Sequence, residues 1–108
     1  MTRHVQVTRL RPEAREEYLR LHQRVWPEVE ERLVASGIRD YSIFLQGDLL
    51  IGTFEYVGDD FDADMRAMAT DAATQRWWAL TDPCQEPLPE ARAAGTTWAD
   101  AVEVWHLS

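Results

Sequence analysis

Apolar and polar residues alternate from His4 to Leu10, with Val5 and Val7 on one face and His4, Gln6 and Thr8 on the other. A period of two predicts a first strand. The period then changes. Ala14, Tyr18, Leu21, Val25, Val29 and Leu33 recur at steps of three and four, which puts one apolar stripe on a helix. Pro12 suits the first turn, Glu13, Glu16 and Glu17 suit its positive end, and Ser36-Gly37 supplies the stop. Pro27 interrupts the stripe, so either the helix kinks or a second one begins with Pro27 in its first turn.

Alternation returns at Tyr41, Ile43 and Leu45, a second strand, and Gln46-Gly47-Asp48 makes a tight turn into a third strand from Leu49 to Val57. After the loop Gly58-Asp59-Asp60, helical spacing resumes at Phe61, Met65, Met68 and Ala69. Thr70 or Asp71 can cap a further helix running to about Leu80. Thr81 to Thr97 holds Pro83, Pro87, Pro89 and Gly95 and reads as a long irregular connection. Ala101 to Leu107 alternates again and reads as a last strand. The order β-α-β-β-α-β predicts a ferredoxin-like α+β domain over residues 1–108, an antiparallel sheet with both helices on one face. The third and last strands are apolar on both sides: Leu49 and Ile51 oppose Leu50 and Phe54, and Val102 and Val104 oppose Trp105 and Leu107. A sheet with helices on one face alone would show a polar second face. The expectation is therefore a homodimer, in which a second copy covers the open side to form a dimeric α+β barrel.

Composition removes several function classes. The 108 residues carry 11 Lys and Arg against 19 Asp and Glu, a net charge of −8. Such a chain repels phosphate backbones and anionic lipid, so neither nucleic acid nor a membrane is an expected partner. No Gly-rich phosphate loop is visible. The start of the chain leads into a strand pattern with no apolar signal core, and Cys84 is the lone cysteine, so a cytoplasmic protein without a disulfide or a Cys-based zinc site is expected.

Candidate chemistry begins with Tyr18 and His22. Four residues apart, they lie one turn apart on one helix face, beside the apolar stripe. Histidine is the side chain that gives and takes protons near neutrality; the alternative is a core histidine satisfied by a carbonyl. Trp77 and Trp78 are neighbours on a helix and point about 100° apart. One fills the core while the other lines a groove, where an indole is a platform for the C–H face of a sugar; the alternative is plain packing. Tyr41 can turn its phenol to the helix layer or stand as a half-buried strand aromatic. Trp26-Pro27-Glu28 can shape a pocket wall. His4 and His106 lie near the ends of the first and last strands and could approach each other, but two histidines without a third ligand are no metal site, and none is expected. Cys84 has no cationic neighbour to make it a thiolate. These residues suit proton transfer on a small neutral polar ligand, without a cofactor.

Arg11-Pro12-Glu13-Ala14 with Glu17-Tyr18-Leu19-Arg20-Leu21-His22, then Val25-Trp26-Pro27-Glu28, resembles the L-rhamnose mutarotase family. So do Gly37-Ile38-Arg39-Asp40-Tyr41, Gln75-Arg76-Trp77-Trp78 with Thr81-Asp82, and the ending Glu103-Val104-Trp105-His106-Leu107. The resemblance implies a dimeric α+β barrel that interconverts the anomers of a neutral deoxyhexose. It implies His22 as proton donor, with Tyr18, Tyr41, Trp77 and Trp78 on the sugar. Residues 83–97 depart most from the family pattern, with Pro83-Cys84-Gln85-Glu86-Pro87 in place of a Met-rich stretch, which leaves L-fucose beside L-rhamnose as the sugar. Two other readings compete: a cofactor-free oxygenase acting on a hydrophobic molecule, and a sugar-binding module without catalysis.

Overall fold

The computed structural model describes residues 1–108. Strand β1 (Thr2–Leu10) is followed by a 3-10 turn (Pro12–Ala14) and helices α1 (Arg15–His22) and α2 (Pro27–Ala35). Strands β2 (Ile38–Gln46) and β3 (Leu49–Tyr56) form a hairpin, and helices α3 (Phe61–Ala69) and α4 (Ala72–Thr81) follow. A 3-10 turn (Asp82–Cys84), the short strand β4 (Gln85–Glu86), helix α5 (Pro89–Ala94) and the short strand β5 (Ala99–Asp100) complete the elements. The sheet runs β2-β3-β1-β4, with β5 also paired to β1, and every pairing is antiparallel. This is the expected ferredoxin-like α+β arrangement.

Local chemistry explains the boundaries. Pro27 opens a new helix and does not kink an old one: Trp26 is extended, with ψ of 135°, and Pro27 needs no N–H in the first turn. Gly37 ends α2 in the left-handed region, at φ of 86°. Asp60 and Asp71 cap α3 and α4, each accepting a hydrogen bond from a backbone N–H three residues on, at 3.1 and 3.0 Å.

The helix-covered face of the sheet holds two apolar clusters. Leu10, Leu50 and Cys84 pack with Tyr18 of α1, and Ile38, Phe54 and Tyr56 pack with Leu33 of α2 and Phe61 and Met65 of α3. The polar-looking side of β1 is therefore the covered one. Thr8 is fully buried there, its hydroxyl donating to the carbonyl of Thr97 at 2.8 Å.

Two expectations are corrected. The stretch 81–97 is not an irregular connection: Pro83 and Pro89 lie in the first turns of the 3-10 turn and α5, and Gly95 ends that helix at φ of 76°. The last strand is only two residues long, and residues 101–108 are exposed and outside the sheet. Trp105, expected to pack at the sheet, is 74% exposed. The alternation in this tail is real, but within one chain only β1 reaches its first residues, and the N–H of Ala101 makes the last such bond, to Val5, at 2.8 Å.

Asp71 offers a test of the capping argument. Hydrogen bonds from the backbone N–H and the hydroxyl of Thr74 hold its carboxyl below the usual aspartate range. A depressed folded pKa adds stability that is complete above the unfolded value, about 3.9, and is lost as pH falls through the folded one. Asp71→Ala should lower the melting temperature at neutral pH, and the gap to the parent should shrink in melts run at progressively more acidic pH.

Candidate active site

Helix α1 ends in the site. Tyr18 is 2% exposed and lies against Leu10, Leu50 and Cys84, so the core fixes the helix and its phenol together. His22 stands one turn on, its ring centroid 4.2 Å from that of Tyr18. Its Nδ1 lies 2.9 Å from the carbonyl of Tyr18. A carbonyl only accepts, so Nδ1 carries the proton and donates it, and Nε2 of the neutral ring keeps its lone pair. The carbonyl of Tyr18 thus fixes the His22 tautomer.

The break before Pro27 brings Trp26 back to the same place. Trp77 of α4, 6% exposed, meets His22 edge-on at 5.4 Å and Trp26 at 5.2 Å. The adjacent Trp78 is half-buried and shares none of these ring contacts. The pair thus divides as helix geometry requires, and the inward member is Trp77.

Tyr41 enters from the sheet through a β-bulge. The β2–β3 register shifts between Arg39 and Ser42, and Asp40 takes a left-handed φ of 51°. One extra residue reverses which positions face inward. Ile38 is inward before the bulge, while Tyr41, Ile43 and Leu45 share the inward parity after it. The Tyr41 ring packs on Phe54 at 5.4 Å and crosses Gly52. A Cβ on Gly52 would sit 3.7 Å from the Tyr41 hydroxyl and 3.5 Å from the indole of Trp98. Burial raises the pKa of Tyr41. It pushes Tyr18 up to about 12, with neighbouring Tyr41 and Cys84 adding to the shift and a hydrogen bond from Gln85 opposing it. Both phenols keep their protons at neutral pH.

The structure therefore joins His22, Tyr18 and Trp77 directly, sets the 40% exposed Tyr41 over Gly52 beside Trp98, and leaves Trp78 at the margin. It adds two residues that the sequence reading did not place. Trp98 packs on the Tyr18 cluster and over Gly52, and Gln85 donates from Nε2 to the Tyr18 hydroxyl at 3.3 Å. Neither has a periodic or motif signal; only the pairing of β4 and β5 with β1 carries them there. The two other histidines do not meet: His4 stacks against Phe54 and Phe61 at 5.1 and 4.2 Å, and exposed His106 lies beside Glu103 at 4.0 Å. Burial raises the pKa of the Cys84 thiol, in keeping with an inert cysteine.

Fold and site together define an α+β domain of the ferredoxin-like type in which His22 is set in an aromatic wall. Comparison with known proteins makes this specific. A family model described as L-rhamnose mutarotase matches residues 3–107. An L-rhamnose mutarotase of Klebsiella pneumoniae is 34% identical over 110 residues, covering 100% of both chains. One from Burkholderia ambifaria is 36% identical over 89 residues, covering 73% of this chain and 85% of that one. The chain belongs to the L-rhamnose mutarotase family. Among solved structures, an L-rhamnose mutarotase of Formosa agariphila superposes with a TM-score of 0.77 at 20% identity over 100% of both chains. Tetracenomycin F2 cyclase of Streptomyces glaucescens gives 0.68 at 17%, also over 100% of both. An antibiotic biosynthesis monooxygenase gives 0.58 at 16%, covering 82% of this chain and 90% of that one. At these identities the structural likenesses establish the fold, and none favours the oxygenase reading.

Trp77 is as much core as site. Trp77→Ala should cost about 3–5 kcal/mol of stability, read as a shift in the urea midpoint at unchanged slope. Trp78→Ala, from a half-buried position, should cost much less in the same measurement.

Proposed function

We propose that the protein is a cofactor-independent mutarotase that interconverts the α and β anomers of L-rhamnose, with His22 as its acid–base residue. Family membership names the substrate class; the observation that carries the mechanism is the His22 ring, held through Nδ1 with Nε2 free. Mutarotation removes the proton of the anomeric hydroxyl and delivers one to the ring oxygen. Both oxygens are bonded to C1, so one nitrogen can serve both. Nε2 takes the proton from the anomeric oxygen as the C1–ring-oxygen bond breaks and that oxygen becomes the aldehyde carbonyl. The same proton passes to the ring oxygen. The C1–C2 bond rotates, and the reverse sequence closes the ring on the other face. Atoms and charge balance without a cofactor.

Tyr18 and Tyr41 serve as hydrogen-bond donors that orient the sugar and do not act as bases, because both phenols stay protonated. Trp77 and Trp78 supply indole surface to the C–H face and the 6-methyl group. A neutral sugar needs no cationic pocket, which is consistent with a net charge of −8.

The working unit is a homodimer in the cytoplasm. Val102, Val104, Trp105 and Leu107 in the tail are 74–93% exposed, and Phe44, on the sheet face away from the helices, is 56% exposed. A soluble monomer would leave this much apolar surface in water, and a second copy covers it by accepting the tail along its sheet. No helix is long and apolar enough to cross a membrane.

His22→Ala should slow anomer exchange of L-rhamnose by on the order of 100-fold or more while the melting curve keeps its shape. Saturation-transfer NMR measures the exchange directly, and a near-parental rate in this variant would remove His22 from the mechanism. Deleting residues 101–108 should convert a dimer into a monomer in sedimentation velocity. A truncated chain that still sediments as a dimer would place the interface elsewhere.

A further inference from the structure

Gln85 is the residue at the site whose presence packing does not explain. It is 4% exposed, it lies in the segment that departs most from the family pattern, and its backbone pairs with Leu10 at the sheet edge. Its amide Nε2 donates to the Tyr18 hydroxyl at 3.3 Å, while Oε1 is buried without a partner. An amide buried with one bond made of the four it can form is costly, and Leu or Met would fill the same volume without that cost. The single bond it makes is therefore the reason for it.

The direction of that bond has a chemical consequence. A phenol offers one proton and two lone pairs. Gln85 fills a lone pair and leaves the proton uncommitted. An acceptor in its place would take the proton and point it away from any ligand. Burial keeps Tyr18 protonated, so its proton is a donor to whatever enters the site.

We propose that Gln85 is a positioning residue of the active site: it holds the Tyr18 hydroxyl from the acceptor side, so that the phenolic proton is free to donate to a sugar oxygen. The proposal rests on the mutarotase reading above and deepens it. Gln85 touches no reacting atom and acts through Tyr18 alone. Its effect must disappear when the Tyr18 hydroxyl is absent, whereas an effect on packing would not.

The test is a double-mutant cycle on the full chain, with anomer exchange of L-rhamnose measured by saturation-transfer NMR over a range of sugar concentrations. Gln85→Leu should raise KM by about tenfold, the loss expected of one hydrogen bond that is no longer aimed, with a smaller effect on kcat. In a Tyr18→Phe background, Gln85→Leu should change neither constant by more than about twofold. Gln85→Glu places an acceptor against the phenol and should be at least as impaired as Gln85→Leu, although it keeps the size of the side chain. Melting temperatures of all variants separate folding from function. Equal losses from Gln85→Leu in both backgrounds, or full activity in Gln85→Leu or Gln85→Glu, would overturn the role of Gln85 while leaving the mutarotase intact. Absence of exchange with the parent protein would instead overturn the mutarotase reading itself.

Discussion

Everything at the site depends on the burial of Tyr18. Its ring is part of the core that joins helix α1 to the sheet, packed with Leu10, Leu50 and Cys84. Its carbonyl sets the His22 tautomer, and its hydroxyl meets Gln85. Core and site are thus one structure at this residue. Positional precision of the His22 ring follows from the close packing of a protein interior, and no separate scaffold of charged residues is needed. The same burial limits what Tyr18 can do. A phenol raised to about 12 is a poor base and a dependable donor, which is why the proposed mechanism moves the proton on the imidazole one turn further along the helix.

Most of the framework was legible because it rests on local chemistry. Pro27 and Gly37 bound α2, the Asp71 carboxylate caps α4, and the alternation around Gly47 gives the hairpin. The Tyr18–His22 spacing placed both on one face, and the adjacent tryptophans had to diverge. The bulge at Asp40 was not legible: an Asp in the left-handed region leaves no pattern distinct from a regular strand, yet it turns Tyr41 inward. Trp98 and Gln85 were out of reach for a different reason. They arrive through two-residue strands that exist only because β1 offers them an edge. Propensity cannot read a pairing that short.

The tail shows the opposite error. Ala101 to Leu107 has the alternation of a strand, and the periodicity is correct as a statement about what the segment can bury. Strand formation also needs a neighbouring edge. Within one chain that edge ends at the bond from Ala101 to Val5, and four large apolar side chains beyond it stand in water. A strand pattern with no intrachain partner and an open sheet face with apolar residues are two halves of one arrangement. That is the physical case for a second copy, and it is stronger than either observation alone.

The departure of residues 83–97 from the family pattern then acquires a meaning. This segment closes the core through Cys84, pairs with β1 at Gln85, and leads through α5 to Trp98. It therefore sets the surroundings of Tyr18 from two directions. A family can keep His22 and Tyr18 for the reaction while such a segment varies, because anomer exchange at C1 is common to all aldopyranoses. What distinguishes the sugars is the rest of the ring, and that is what donors and indole surfaces around the histidine can read. Gln85 meets one candidate donor, the Tyr18 hydroxyl, and Trp98 lies with Tyr41 over Gly52 beside it. On the proposed mechanism, chemistry and recognition fall to different stretches of the same 108 residues.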